Sequence, residues 1–321
     1  MTKVRTFRSF AGGGAPSILA ATLVAGVAMY FATLYVYREL GSAPYVLFAA
    51  YWSLLYLVVG SLSGVQQEMT RATRRNDPQS SPKVSNAKWF AIGLSLLVAI
   101  VIVASSFLWA SPLLGEEGEQ LVWPFALGAA SYVIVASLAG SLFGLSKWSS
   151  IALMSALDGL LRLGLLTIAL AFTNDIVILA WCVSLAFPLA IAVIWPFARK
   201  GFINTSHLDV SIKRLSINIS QTLAASTSAA LIINGFPLLV VNASQGQDPS
   251  FVGDLILTIT IIRAPLIVIA LSMQSYLVVK FRDRTSSTLG PVLKIISVIT
   301  ILTALVSILG YRAGPDFLAL L

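Results

Sequence analysis

Long apolar stretches alternate with short polar connections along almost the whole of this chain. About nine of the stretches are long enough to cross a bilayer, and they cover residues 15–37, 45–66, 89–110, 121–144, 149–172, 176–197, 216–241, 252–279 and 291–309. The third is typical, because residues 89–110 contain no charged side chain. At a rise of about 1.5 Å per residue, a helix there covers about 33 Å, a full hydrocarbon core. The pattern therefore predicts an all-α polytopic membrane protein with about nine transmembrane helices.

The positive charges indicate an orientation for these helices. Seventeen of the 21 Lys and Arg residues fall at alternate connections, starting with the amino terminus. Only Arg38 and Arg312 lie at the opposite ends of the spans, and Arg162 and Arg263 lie inside spans. By the positive-inside rule, the amino terminus is cytoplasmic and the carboxyl terminus lies outside.

Composition narrows the possible functions. A hydrophobic fraction of 57% with 11% charged residues excludes a soluble globular protein. The net charge of +8 then indicates contact between the cytoplasmic face and anionic membrane lipids, and no nucleic acid is expected as a partner. Cys182 and His207 are the single cysteine and histidine. We therefore expect no Cys/His metal set, no catalytic triad that contains His, no cofactor and no enzymatic activity.

A weak internal repeat predicts two lobes. A shift of 208 residues superposes Gln66 on Gln274 and Arg74 on Arg282, at the ends of spans two and eight. Six spans separate the two copies, so both have the same orientation. Parallel repeats of this kind are one of two recurrent plans of secondary transporters, which bind substrate between the lobes.

The repeat implies a six-helix amino-terminal lobe over residues 1–205. Residues 206–321 then hold the first three helices of a second lobe. The last eight residues, 314–321, are mostly apolar, as if another membrane segment began there. We therefore expect a second lobe that is truncated, with a second chain that completes it as one alternative.

Arg263 is the sharpest candidate for substrate binding. It lies about eleven residues into span eight, where a cation costs from about 3 to more than 10 kcal/mol. Asp254 is nine residues earlier in the same helix, about 13 Å along the axis, so the two cannot pair. Pro265 removes a backbone hydrogen bond beside the cation. An anionic substrate such as a lipid pyrophosphate fits this site; the alternative is an Arg satisfied by carbonyls or a carboxylate of another helix.

Other polar residues inside spans are further candidates for substrate binding. Asp158 and Arg162 are spaced i, i+4 and share one face of span five. They form either a mutually neutralising pair or a pair that opens for substrate or a proton. Gln221 and Asn234 belong to a polar set on span seven, whose alternatives are a cavity lining and interhelical hydrogen bonds. Pro237, also on span seven, predicts a kink.

Polar residues at the cytoplasmic end of span two form a candidate gate. They are Gln66, Gln67, Glu68 and Arg71. A helix terminus that emerges into headgroups is normally polar, and this is the simpler explanation. The pairs Gly60/Gly64 and Gly140/Gly144 permit close helix packing, and we assign them no other role.

Four segments carry a resemblance to a known family. They are Leu-Ser-Gly-Val-Gln-Gln-Glu-Met-Thr-Arg at 62–71, Ala-Leu-Asp-Gly-Leu-Leu-Arg-Leu at 156–163, Ile-Asn-Gly-Phe-Pro-Leu-Leu at 233–239 and Ile-Arg-Ala-Pro-Leu at 262–266. With these segments the chain resembles the polysaccharide-exporter branch of the superfamily that also contains multidrug extruders and lipid II flippases. The resemblance extends over nearly the whole chain, although the motifs are short.

The resemblance implies a flippase in the bacterial cytoplasmic membrane. Members of the family usually have twelve or more spans in two six-helix lobes around a cavity, and they move lipid-linked saccharides by alternating access. The anionic pyrophosphate of such a lipid is then the expected partner of Arg263. Because this chain shows only about nine spans, a transport-inactive scaffold for cell-envelope assembly is one alternative. A cation-coupled multidrug exporter that uses Asp158 is another. No P-loop motif is present in the sequence, so ATP hydrolysis is not expected.

Overall fold

The computed structural model describes residues 14–74, 87–205, 207–208, 212–244 and 246–263, and helical positions 297, 300, 301 and 304. The part up to Ala264 is one compact unit, and the part from Pro265 onward is another. The features below belong to the first unit. The second copy of the repeat, the rest of span eight, most of span nine and the chain terminus lie outside the described residues.

Nearly all of the described chain is helical. The helices are α1 Gly14–Leu40, α2 Ser42–Ala72, α3 Ala87–Leu114, α4 Gly118–Gly144, α5 Trp148–Leu170, α6 Ile176–Thr205, α7 Ile212–Asn234 and α8 Phe236–Ala243, followed by α9 over residues 249–263. Beside them is one short antiparallel pairing of β1, Thr73–Arg74, with β2, His207–Leu208. It joins the end of α2 to the connection between α6 and α7. The first six helices coincide with the first six predicted spans.

Local sequence explains where several helices begin. Gly41 and Gly115 have φ values of +78° and +64° in the turns before α2 and α4, a region that favours glycine. The Asp175 carboxylate accepts a hydrogen bond of 2.8 Å from the N–H of the second residue of α6, and Asp248 does the same for α9 at 3.1 Å. Such caps satisfy N–H groups that have no partner within the helix.

α3 and α4 form an antiparallel hairpin. The apolar stretch Lys88–Gly144 is 57 residues long and reverses direction at a 3₁₀ turn, Gly115–Glu117. The Ser95 hydroxyl donates to the Ala130 carbonyl at 2.8 Å, and Gly118 packs directly against the α3 backbone. The stretch therefore contains two helices that run side by side, as the separate spans 89–110 and 121–144 predict.

Small residues bring α2 close to its neighbours. α1 packs on α5, α3 and α6 pack on α4, and α2 packs on both α4 and α7. A Cβ on Gly64 would lie 2.7 Å from the Thr222 backbone of α7, and Gly60 faces α7 as well. Gly140 and Gly144 of α4 face α2 in the same way. The structure confirms both glycine pairs as sites of close helix packing.

Large apolar side chains lie on the outer surface of the unit as well as in its core. Phe48, Tyr51 and Leu55 of α2 are buried at its centre, whereas Ile100 and Phe107 of α3 are 63% and 78% exposed. Apolar exposure on this scale suits lipid rather than water. Within the described residues, five helical stretches are long and apolar enough to cross a membrane, or six if α7 and α8 count as one bent span. A helical, multi-pass membrane protein is thereby confirmed, while the count of nine spans and the location of the termini stay predictions.

Candidate functional site

α7 and α8 form a single helical path that is broken at Gly235. α7 ends at Asn234, α8 begins at Phe236, and the two axes differ by 57°. Pro237 accounts for part of the break, because it has no N–H to donate to the carbonyl of Ile233. The structure thus shows the predicted kink, and the seventh predicted span is two helices rather than one.

Arg263 binds the carboxyl end of α7. Its Nη2 donates to the Ile232 carbonyl at 3.0 Å and makes a longer contact of 3.5 Å with the Ile233 carbonyl. The guanidinium carbon also lies 5.3 Å from the centre of the Phe236 ring. A cation is favoured here because the carboxyl end of a helix carries partial negative charge. Among the residues that the structure describes, no carboxylate forms an ion pair with Arg263.

α2 also forms hydrogen bonds with the last residue of α7. The Ser53 hydroxyl donates to the Asn234 carbonyl, and the Asn234 side-chain amide donates to the Tyr56 carbonyl at 3.1 Å. The last three carbonyls of α7 therefore each have a donor from another helix. In a membrane interior such donors are required, because no water is present to replace them. Asn234 acts here as an interhelical hydrogen-bond donor.

Asp158 and Arg162 form a bidentate ion pair on α5. Nη1 and Nη2 of Arg162 donate to the two carboxylate oxygens at 3.0 and 2.9 Å. The Arg162 Nε donates to the Val183 carbonyl of α6 at 3.3 Å. The side chain of Arg162 is fully buried, whereas that of Asp158 is 31% exposed. The predicted i, i+4 pair is present, and the charge of Arg162 is neutralised.

Aromatic rings enclose the guanidinium of Arg162. Its carbon lies 4.7 Å from the ring centre of Phe187, 5.4 Å from that of Tyr56 and 6.0 Å from that of Trp52. The sulfur of Met29 approaches Nη1 at 3.3 Å. Cation–π contacts are strongest where water is excluded, as it is here. Side chains from α1, α2 and α6 thus complete the surroundings of a pair that belongs to α5.

The two arginines differ in what balances their charge. Arg162 has a carboxylate, a carbonyl and three rings around it, and no part of its side chain is exposed. Arg263 is half-buried and is balanced only by neutral groups in the described part of the chain. Tyr56 touches both centres, through its ring at Arg162 and through its carbonyl at Asn234. Among the described residues, a carboxylate therefore neutralises the charge of Arg162 but not that of Arg263.

Two of the predicted gate residues, Gln67 and Glu68, join α2 to α7. Glu68 is 3% exposed and accepts hydrogen bonds of 2.8 Å from the Arg71 Nε and the Asn218 side-chain amide. Gln67 donates to the Ser226 hydroxyl at 3.3 Å. These contacts hold the two helices together at the end that the charge pattern places in the cytoplasm. Their role as a gate stays a prediction.

Two of the predicted site residues stand apart from these contacts. Gln66 is half-buried on α2, directly before Gln67, and Gln221 is exposed on α7. The sequence reasoning also missed Met29, Ser53 and Phe187, because they come from separate helices. The sequence could have predicted part of the surroundings of Arg162. The aromatic side chains at 52 and 56 are spaced i, i+4, so they share one face of α2.

Comparisons with known proteins give relatives but no activity. No protein-family model matches the chain, and no solved structure gives a significant match. An uncharacterized protein of Mycobacterium tuberculosis is 26% identical over 290 residues, which are 87% of this chain and 65% of that protein. An uncharacterized protein of Mycobacterium bovis is 25% identical over 287 residues, 86% of this chain and 64% of its own length. The chain thus spans slightly less than two thirds of the curated relatives it matches.

Proposed function

We propose that this protein is a flippase-like transporter. It moves lipid-linked oligosaccharide or polysaccharide precursors across the bacterial cytoplasmic membrane by alternating access. The observation that carries the proposal is Arg263, a half-buried cation bound to the end of a broken helix in an apolar region. Cations inside membrane segments and discontinuous helices are both typical of transporter substrate sites. The resemblance to polysaccharide exporters supplies the substrate class.

The pyrophosphate of the lipid carrier is the group that Arg263 binds in this proposal. Guanidinium groups recognise phosphate oxygens with paired, charge-assisted hydrogen bonds. In the described part of the chain only neutral carbonyls hold Arg263, so its positive charge is not neutralised and attracts an anion. Arg162, which was also a candidate, contributes through the shape of the site because Asp158 already neutralises it.

Alternating access in this proposal takes place at the seam between α2 and α7. The proposed architecture has a six-helix lobe over residues 1–205 and the first three helices of a second lobe over 206–321. The seam would be their boundary, and its contacts include closely packed glycines, buried apolar side chains and polar hydrogen bonds. In membranes such hydrogen bonds average well under 2 kcal/mol each.

Cation-coupled drug export is less well supported. That function requires a carboxylate inside the membrane that is available to a cation, and Asp158 is the one considered. Both of its oxygens are already bonded to Arg162. The scaffold alternative makes a different prediction, since a scaffold translocates no lipid.

Translocation in proteoliposomes tests the proposal. Purified protein is reconstituted and given a fluorescent undecaprenyl-type pyrophosphoryl sugar, and the fraction that reaches the opposite leaflet is measured. The wild type is expected to translocate the lipid. Arg263→Ala is expected to lose at least about tenfold in rate, since one charged hydrogen-bond donor is typically worth about 1.5–3 kcal/mol.

Lys147→Ala is the matched control, because Lys147 is an exposed cation at the start of α5, away from the site. It should translocate as well as the wild type. Equal rates for Arg263→Ala and wild type would remove Arg263 from the mechanism. Inactivity of folded wild-type protein would favour the scaffold alternative.

A further inference from the structure

The guanidinium of Arg263 is bound by the protein itself at the position where the proposed function needs it free. We infer that the carboxyl end of α7 autoinhibits this arginine, so that an anion binds with full geometry only after Nη2 leaves the carbonyls of Ile232 and Ile233. The inference rests on the proposed function, because it describes the regulation of that same anion site.

The two contacts from Nη2 of Arg263 to the Ile232 and Ile233 carbonyls are here called the cap. The atoms of the cap explain why these carbonyls compete with an anion for Arg263. A guanidinium presents two paired donor edges, one made by Nε and Nη2 and the other by Nη1 and Nη2. Both edges that can hold a phosphate in a bidentate manner therefore include Nη2. In the structure Nη2 makes both contacts with the end of α7, at 3.0 and 3.5 Å. Nη2 carries one hydrogen on each edge, and an edge whose Nη2 hydrogen is donated to a carbonyl offers an anion only one of its two donors.

The surroundings of Arg263 stabilise the cap, so the cap competes with an anion for the guanidinium. The Phe236 ring lies 5.3 Å from the guanidinium carbon, which holds the plane of Arg263 against α8. Release of Arg263 leaves the Ile232 and Ile233 carbonyls without this donor in an apolar region, which is unfavourable. An anion must offset that loss, so a multiply charged group such as pyrophosphate is favoured over a singly charged one.

Pro237 leaves the Ile233 carbonyl of α7 dependent on Arg263. With any other residue at 237, a backbone N–H is available to the Ile233 carbonyl, as in a continuous helix. Pro237 lacks that N–H, and Arg263 supplies a contact instead. Replacement of Pro237 should therefore weaken the contact with Ile233, one of the two carbonyl contacts of Arg263, without any change in the arginine.

Binding of inorganic pyrophosphate to the full chain in nanodiscs tests this inference. The dissociation constant is measured by microscale thermophoresis for wild type, Pro237→Ala, Phe236→Leu and Arg263→Gln. Both cap variants should bind about fivefold more tightly, because apparent affinity rises as the uncapped fraction rises. Arg263→Gln should bind at least about tenfold more weakly, since it removes the charge.

Pro188→Ala is the matched control, because Pro188 lies inside α6 and its replacement also restores an N–H to a membrane helix. It should bind pyrophosphate like the wild type. A second readout is the rate at which phenylglyoxal modifies Arg263, followed by mass spectrometry of the peptide. That rate should rise in Pro237→Ala and fall when pyrophosphate is added.

The outcomes separate this inference from the proposed function. If pyrophosphate binding depends on Arg263 but both cap variants bind no more tightly than wild type, autoinhibition is wrong and the anion site stands. Unchanged phenylglyoxal reactivity in folded Pro237→Ala would overturn the inference by itself. If Arg263→Gln binds as well as wild type, the anion site itself is wrong. Binding by Pro237→Ala where the wild type binds nothing would be the strongest support.

Discussion

The buried ion pair of α5 gives the sharpest prediction about stability. Asp158→Asn keeps the shape of the side chain and removes its charge, which leaves the fully buried guanidinium of Arg162 without a carboxylate. A buried charge that loses its partner is strongly unfavourable, typically by about 3–5 kcal/mol. The substitution therefore asks whether the pair is part of the folded framework or a pair that readily opens.

The structure sets a smaller magnitude than that general value. Two hydrogen bonds of 3.0 and 2.9 Å are affected, but the Asp158 side chain is 31% exposed and polar bonds in membranes are weak. The Val183 carbonyl and the aromatic rings also remain around Arg162. We expect a loss of about 2–3 kcal/mol in unfolding free energy, or roughly a 30- to 150-fold change in the folded-to-unfolded ratio.

A double-mutant cycle measures this coupling. Unfolding in mixed micelles is followed for wild type, Asp158→Asn, Arg162→Met and the double variant. Arg162→Met should be destabilising too, and the double variant should be more stable than the sum of the two losses predicts, because no charge is left unpaired. Glu119→Gln, at an exposed carboxylate, is the control and should stay within about 0.5 kcal/mol of wild type.

A small effect would refute this reasoning. If Asp158→Asn costs less than about 0.5 kcal/mol and the cycle shows no coupling, the pair contributes nothing to the fold. The alternative in which the pair opens during transport would then be favoured. A double variant that is stable but inactive in translocation would show that the pair has a role beyond stability.

Two further predictions concern the seam between α2 and α7. Gly64→Leu should destabilise the protein by roughly 1–3 kcal/mol, because its Cβ would meet the α7 backbone at 2.7 Å. Gly93→Leu on α3 is the control and should be neutral, because no atom lies within 4 Å of the added Cβ. Equal melting temperatures of the two variants would contradict the close packing at Gly64. Arg71→Ala leaves the buried Glu68 with fewer donors and should lower the unfolding free energy by about 1 kcal/mol. The same unfolding assay in micelles measures this loss. Glu68→Gln in the Arg71→Ala background should partly reverse it.

The sequence alone determined the features that depend on distance along the chain. Nine apolar stretches predicted a multi-pass helical protein, and the first six coincide with α1 to α6. The spacing of Asp158 and Arg162 predicted an ion pair, which the structure contains. Both follow from the helix itself, because its rise sets the length of a span and its 3.6-residue period sets which side chains are neighbours.

The tertiary structure decided which groups from different helices meet. Arg263 lies on carbonyls about 30 residues earlier in the chain, and Glu68 accepts from Asn218, 150 residues later. The aromatic enclosure made Arg162 fully buried, whereas Arg263 stayed half-buried with no carboxylate among the described residues. Such contacts depend on how each helix is rotated and how closely glycines allow its neighbours to approach. Spacing along the sequence does not give the rotation or the approach of one helix against another. Only the packed helices therefore show which arginine has its charge neutralised.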